Sequence, residues 1–306
     1  MKILITGASG FMGKSLQKRL SAPETQFIAL DSKSADLTKQ DSLLKYNDLQ
    51  YDLIFHLAAW TQAGDFCLYH QGEQWIINQQ INTNTLAWWQ EYQPQAKMIA
   101  FGTSVSYASE DKLSEKEYMS GLPNDKFYAY AMSKRMMYAG LISLQRQFGM
   151  RYLYLVPSTL FGPQYHVDGR QMHFIFDLIR KIIRGKEYGE SVALWGDGYQ
   201  RRELVFMDDF IRILLELTST VENNIINIGA GEDYTIREFA QKICAIVGFD
   251  FNTITFDTSK YVGAKSKCLD VKKLKELIPN PELSSLDTGL KATIEWFYKD
   301  KVYDLA

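Results

Sequence analysis

Tyr130 and Lys134 stand four positions apart in the segment Tyr130-Ala131-Met132-Ser133-Lys134. On a helix that spacing puts a phenol and an ammonium on one face. A buried cation lowers the pKa of a neighbouring phenol, so such a pair can pass a proton to or from a hydroxyl or carbonyl near neutral pH. Lys134 could also hold a ribose. Thr103, which follows the apolar run KMIAFG and precedes Tyr130 by 27 residues, supplies a hydroxyl to orient the reacting oxygen. Tyr-x-x-x-Lys arises readily by chance, and the nearby Tyr128 and Tyr138 dilute it. Its weight comes from what precedes it.

What precedes it is a glycine loop. Thr6-Gly7-Ala8-Ser9-Gly10-Phe11-Met12-Gly13 joins the first apolar run to a helix-compatible stretch. In a G-x-x-G-x-x-G loop there, Gly7 takes the tight turn, Gly10 admits a pyrophosphate, and Gly13 packs the helix onto the strand. The N–H groups around Ser9, Phe11 and Met12 then face the phosphates. Asp31 ends the second apolar run, 18 residues after Gly13. A carboxylate there accepts both hydroxyls of an adenosine ribose and repels a 2′-phosphate, which favours NAD over NADP, although Lys33 softens the repulsion. The alternative for Asp31 is a plain turn or cap residue. Asp36 and Leu37 are placed to flank the adenine. Leu57, Ala58 and Ala59 offer small side chains where a cofactor can lie against the backbone.

These residues need elements to carry them. KILIT (2–6), FIAL (27–30), DLIFHL (52–57), KMIAFG (97–102) and RYLYLV (151–156) are too short for helices and read as buried strands, the last closed by Pro157. Helices are expected at 11–20, roughly 76–92, 126–148 and 172–184. Alternation of continuous apolar strands with helices predicts an α/β fold, a doubly wound parallel sheet of the Rossmann type. The expected division is a dinucleotide-binding domain over 1–157, and a smaller, interleaved substrate domain over 158–306. Part of about 204–230 is expected to return to the first.

Composition agrees with a soluble globular chain: 306 residues, 46% hydrophobic and 23% charged. A formal charge of −2 gives no support for non-specific binding to nucleic acid or a membrane surface. Cys67, Cys244 and Cys268 lack the spacing of a disulfide framework or a zinc site, and no metal site is expected. MKILITG runs directly into a strand, so no secretory leader is read, and no run reaches the length of a membrane span. A cytoplasmic protein is expected.

With these motifs in place, the chain resembles the extended short-chain dehydrogenase/reductase superfamily in its nucleotide-sugar branch. Leu160-Phe161-Gly162-Pro163, His173, the stretch FIFDLIRK, Leu194-Trp195-Gly196-Asp197-Gly198, Arg202-Glu203, Asp208-Asp209, Asn227-Ile228-Gly229-Ala230-Gly231 and Thr235-Ile236-Arg237-Glu238 are similar in order and spacing to the GDP-L-fucose synthases. The resemblance runs over nearly the whole chain. It implies Thr103 as the catalytic hydroxyl, Tyr130 as proton donor, Lys134 as its partner and His173 as a catalytic histidine. It implies substrate contacts at Thr159, Trp195 and Arg202, the arginine reaching a diphosphate. Lys181 stands where these enzymes carry a second phosphate-binding arginine, keeping the charge and losing the bidentate fork. Asn78 falls on an asparagine that supports the helix behind the site. A homodimer through the helices at 78–92 and 126–148 is implied as well, with Trp88-Trp89 and Met136-Met137 as core plus interface.

Three departures stand out. The cysteine that serves epimerisation two residues after the catalytic hydroxyl is Val105, which cannot transfer a proton. The asparagine of the Asn-x-x-Gly-Pro turn is Thr159. An Arg-Lys pair before a late strand is Ser266-Lys267. The resemblance therefore implies hydride transfer at carbon 4 of a nucleotide-linked sugar, GDP-linked by likeness, while leaving the double epimerisation in doubt. Thr103 is followed by Ser104 and Val105, not the Asp-Glu of sugar dehydratases, which argues against dehydration. Two other readings stay open: a carbon-4 epimerase with tightly held NAD, and a non-catalytic dinucleotide-binding protein. His56 reads as a satisfied core histidine, His70 and His166 as loop residues, and Glu110–Glu117 as a solvated loop.

Overall fold

The computed structural model describes residues 1–21, 25–108, 113–260 and 265–305. Six strands form one sheet in the order β10-β5-β4-β3-β1-β2. They are β1 (Lys2–Thr6), β2 (Gln26–Leu30), β3 (Leu53–His56), β4 (Lys97–Phe101), β5 (Tyr152–Pro157) and β10 (Asn224–Ile228), all paired in parallel. Covered on both faces, their central residues are fully buried, Ile3, Leu4, Ile54, Ile99, Leu153 and Ile226 among them.

The strand order fixes where a ligand can sit. β1 pairs with β2 on one side and β3 on the other, so successive crossovers leave its carboxyl end in opposite directions. That divergence opens a crevice above β1, the place where open parallel sheets bind ligands. The loop after β1 leads into α1 (Phe11–Leu20).

Two long helices, α3 (Gln71–Tyr92) and α4 (Tyr128–Phe148), pack on each other. Gly140 lies at their contact, where a Cβ would fall 2.6 Å from Leu86 Cδ1 and the leucine would have to shift. α3 begins five residues before the expected position 76. Its buried face carries Gln74, Asn78, Asn82 and Thr85, a polar stripe with no hydrophobic periodicity to read. Trp88 and Trp89 are buried within this chain, donating to Asn47 and to the Ala96 carbonyl. They are core, which corrects their reading as part of an interface. α5 (Phe174–Tyr188) runs four residues past 184, to Gly189 in the left-handed region.

A second core gathers around α5, α7 (Ile236–Val247) and α9 (Leu286–Lys299). α7 opens on a reciprocal capping box between Thr235 and Glu238. Short pairs complete this half: β6 (Thr159–Phe161) with β9 (Leu204–Phe206), β7 (Ala193–Trp195) with β12 (Thr255–Asp257), and β8 (Arg201–Arg202) with β11 (Tyr234–Thr235). After β9, α6 (Met207–Thr220) returns the chain to β10 at the edge of the main sheet. Phe11 packs against both cores, meeting the second through edge contacts with Tyr165 and Phe176.

The segment expected as a solvated loop at 110–117 is otherwise. Residues 110–112 lie outside the described residues. Leu113 is buried, and Glu115 accepts a hydrogen bond from the Asn227 N–H at 2.8 Å. Burial raises the Glu115 pKa. The charge run conceals one carboxylate that ties this segment to β10.

Candidate active site

The glycine loop is shaped by close approach. Gly7 has φ +67°, and a Cβ there would lie 2.7 Å from the Ala58 nitrogen; one on Gly13 would lie 2.5 Å from the Gly7 oxygen. Side chains at either position would push the loop off the sheet or the helix off the loop. Gly10 is the N-cap of α1 with no side-chain cap, so the first-turn N–H groups of Phe11, Met12 and Gly13 point out of the helix end. Ser9 and Gly10 are exposed there, and Phe11 and Met12 half-buried. This cradle fits the pyrophosphate of a dinucleotide.

Asp31 follows β2. Its Oδ1 accepts from the Lys33 N–H, the Ser34 N–H and the Ser34 hydroxyl at 3.0, 2.8 and 2.9 Å, and the Ser34 bonds hold its pKa down. It is a turn-forming residue and a fixed, ionised carboxylate at once. Asp36 is similarly engaged by Thr38. Leu37 is buried, its carbonyl held by Asn84 at 2.9 Å.

The stripe on α3 anchors the segment after β3. Asn78 brackets Trp60, accepting from its N–H at 2.9 Å and donating to its carbonyl at 3.0 Å. Gln74 donates to Thr61 Oγ1 at 3.3 Å. Asn78 thus acts on the backbone beyond Leu57, Ala58 and Ala59. Thr61 in turn hydrogen-bonds Tyr130, an interaction that partly offsets the rise of the phenol's pKa.

Tyr130 and Lys134 lie on α4, with Nζ 5.8 Å from the ring centroid. Burial pushes the Tyr130 pKa up, with Cys67 and Tyr118 adding to it and only Thr61 opposing. The lowering expected from the ammonium is not seen: burial dominates the Tyr130 pKa, and burial also depresses the Lys134 pKa to about 8. At neutral pH the pair is a protonated phenol and an ammonium, a proton donor with its cation.

Thr103 caps the 3-10 turn Ser104–Ser106, its Oγ1 accepting from the Val105 N–H at 3.4 Å. That turn is clamped to α4. Ser106 donates to the Ala131 carbonyl at 3.2 Å, and Arg135 Nε donates to the Ser106 carbonyl at 2.9 Å. Arg135, 3% exposed, also reaches the carbonyls of Ser120 and Gly121. Tyr118 contacts the Thr103 backbone. Thr61, Gln74, Ser106, Tyr118 and Arg135 were missed from sequence, because nothing in their local spacing marks them.

His173 belongs to the second half, as N-cap of α5. Solvent reaches it, and the surrounding protein and nearby His166 shift its pKa downward. Its segment is tied to the first half where Gln171 Oε1 accepts from the Asp65 N–H at 3.0 Å. Between residues 62–70 and 168–171 lies a cavity of about 540 Å³. His70 lies in the loop before α3, at its N-cap position without a side-chain cap, and stacks on Phe66.

The remaining candidates are spread more widely. Pro157 ends β5, and Thr159 begins β6 beside Leu204. Trp195 is 53% exposed at the end of β7. Arg202 lies on β8 and donates to the Arg201 carbonyl at 2.7 Å. Glu203 beside it is buried and accepts from the N–H groups of Gly231 and Leu269. Lys181 pairs with Asp177 at 2.8 Å, so a carboxylate already shares its charge.

Fold and site together define a dinucleotide-dependent enzyme of the Rossmann type, and residues 3–229 match the model of the NAD dependent epimerase/dehydratase family. The chain belongs to that family. It is similar over its length to a GDP-L-colitose synthase of Yersinia pseudotuberculosis, 29% identical, covering 99% of this chain and 100% of that one. Its fold matches a GDP-L-fucose synthetase of Naegleria fowleri bound to NADP (TM-score 0.83, 23% identity, 98% and 94% of the two chains). It also matches a Thermus thermophilus UDP-glucose 4-epimerase in complex with NAD (TM-score 0.80, 18% identity, 97% and 99%).

Proposed function

We propose that this chain is a nucleotide-sugar oxidoreductase that moves hydride to or from carbon 4 of a GDP-linked sugar, acting foremost as a 4-keto-sugar reductase. The observation that carries this reading is the placement of Tyr130 and Lys134 one helical turn apart on α4, with the Lys134 ammonium nitrogen 5.8 Å from the phenol ring centroid. A phenol one turn from an ammonium is suited to give a proton to a carbonyl oxygen as it becomes a hydroxyl. Thr103 donates a second hydrogen bond to that oxygen, and Lys134 stabilises the charge that develops on it. The bound dinucleotide supplies or accepts the hydride. Its pyrophosphate would lie on the first-turn N–H groups of α1, its adenosine ribose on Asp31, and its adenine by Asp36 and Leu37.

The sugar diphosphate is assigned to Arg202, with Lys181 and Trp195 beside it. His173, neutral at pH 7, is assigned to sugar contact. Val105 puts no thiol two residues after Thr103, so epimerisation at carbons 3 and 5 is not part of the proposed reaction. The ionised Asp31 favours NAD over NADP. A homodimer through α3 and α4 and a cytoplasmic location complete the proposal.

The test is oxidation of NADH or NADPH with GDP-4-keto-6-deoxymannose in D2O. Consumption with no deuterium at carbons 3 and 5 of the product supports the reading. Deuterium at either carbon overturns the exclusion of epimerisation. The second reading, a carbon-4 epimerase, is favoured only by the sufficiency of Thr103, Tyr130 and Lys134 for it. Mass spectrometry of molecules released on denaturation separates the two, since an epimerase retains stoichiometric NAD.

A further inference from the structure

We propose that His56 and Asn82 are positioning residues, joining the glycine loop to the catalytic helix through one directed chain of buried hydrogen bonds. The proposal rests on the reading of Tyr130 and Lys134 as the catalytic pair. Five groups take part. The Ala58 N–H lies 3.3 Å from Thr6 Oγ1, Thr6 Oγ1 lies 3.0 Å from His56 Nδ1, His56 Nε2 lies 3.2 Å from Asn82 Oδ1, and Asn82 Nδ2 lies 3.2 Å from the Ser133 carbonyl.

The direction of every bond follows from its ends. A backbone carbonyl only accepts, so Asn82 turns its NH2 to Ser133 and its oxygen to His56. That oxygen also only accepts, so His56 carries its proton on Nε2 and leaves Nδ1 as an acceptor. Thr6 therefore donates its hydroxyl proton to Nδ1 and accepts the Ala58 N–H on its lone pair. The assignment requires a neutral imidazole, and burial with the Lys134 charge nearby lowers the His56 pKa to about 4.

Both ends of the chain matter. The Ser133 carbonyl belongs to the same peptide unit as the nitrogen of Lys134. The Ala58 N–H belongs to the backbone against which Gly7 packs. Thr6, His56, Asn82 and Ser133 are each 5% exposed or less, a place where aliphatic side chains would pack without desolvating polar atoms. What the polar groups add is a fixed direction and length between β1, β3, α3 and α4. Asn78 lies one turn before Asn82 on the same face of α3 and fixes Trp60, so the helix works as a ruler between cofactor backbone and catalytic helix.

The experiment replaces the chain by an apolar pair, His56→Leu with Asn82→Leu, so that neither side chain is left orphaned. The probe is whichever of NADH and NADPH the wild type binds more tightly, titrated by fluorescence. The expected results are a Kd raised by about tenfold or more and faster hydrogen exchange at the Ala58 and Lys134 amides. His56→Gln, which can donate and accept in the same directions, should restore both. Wild-type Kd and exchange in the folded double variant overturn the proposal. If that variant does not fold, Thr6→Val cuts the chain at its cofactor end, and an unchanged Kd there overturns it equally. Tyr130→Phe is assayed in parallel: full turnover in that variant defeats the catalytic reading, whereas the binding and exchange data judge the chain itself without any sugar.

Discussion

The Tyr154 hydroxyl donates to the Lys134 carbonyl at 2.7 Å, from the centre of β5 to the middle of α4. Tyr118 stands 3.1 Å from the same hydroxyl, and both rings are fully buried. The sheet thus grips the catalytic helix at the residue that carries the ammonium. Tyr154→Phe removes this grip and leaves the Tyr118 hydroxyl short of a partner. It should lower unfolding free energy by about 1–3 kcal/mol, read from urea melts. An unchanged midpoint would show that the bond contributes nothing net.

Tyr130→Phe should lower turnover by roughly two to four orders of magnitude while circular dichroism and dinucleotide binding stay as in wild type. Loss of binding together with turnover would point to a structural tyrosine and not to a proton donor.

Lys134 is buried as a cation, its pKa lowered from 10.5 to about 8. Below about pH 8 both folded and unfolded chains carry the charge, and the burial penalty is fully present. Between about 8 and 10.5 the unfolded chain holds the extra proton, so stability rises with pH, by up to roughly 3 kcal/mol. Lys134→Met should abolish this rise and melt higher than wild type at pH 7, with activity lost. A variant less stable than wild type would contradict the penalty.

His56 has the reverse place on the pH scale. Its pKa falls from 6.5 to about 4, so the stability it contributes is complete above about 6.5 and is lost as pH drops toward 4. Replacement by Gln should flatten that part of the stability curve, measured as the difference between the two proteins so that the shift of His173 cancels.

Asp31→Ser should weaken NAD binding and narrow or reverse the preference over NADP, with Lys33 then free to meet a 2′-phosphate. Affinities for the two dinucleotides, measured side by side, decide it. An unchanged ratio would leave Asp31 only its turn, with Ser34 and Lys33 as its partners.

Much of this was legible in the chain itself. Short apolar runs marked β1 to β5 because a strand buried on both faces has no polar alternation, and Gly7 and Gly13 marked the loop because only glycine fits the approaches there. Tyr130 and Lys134 shared a face because four residues make about one helical turn. The tertiary structure decided the rest. The early start of α3 was hidden because its buried face is amide and hydroxyl, not hydrocarbon. Whether the ammonium or burial sets the Tyr130 pKa depended on how deeply α4 is packed. Thr61 beside Tyr130, Arg135 on Ser106 and Asn82 on His56 are bonds across 26 to 69 positions, chosen by strand register and helix packing. No local pattern encodes such partners, because the polar groups that meet there belong to segments brought together only by the fold.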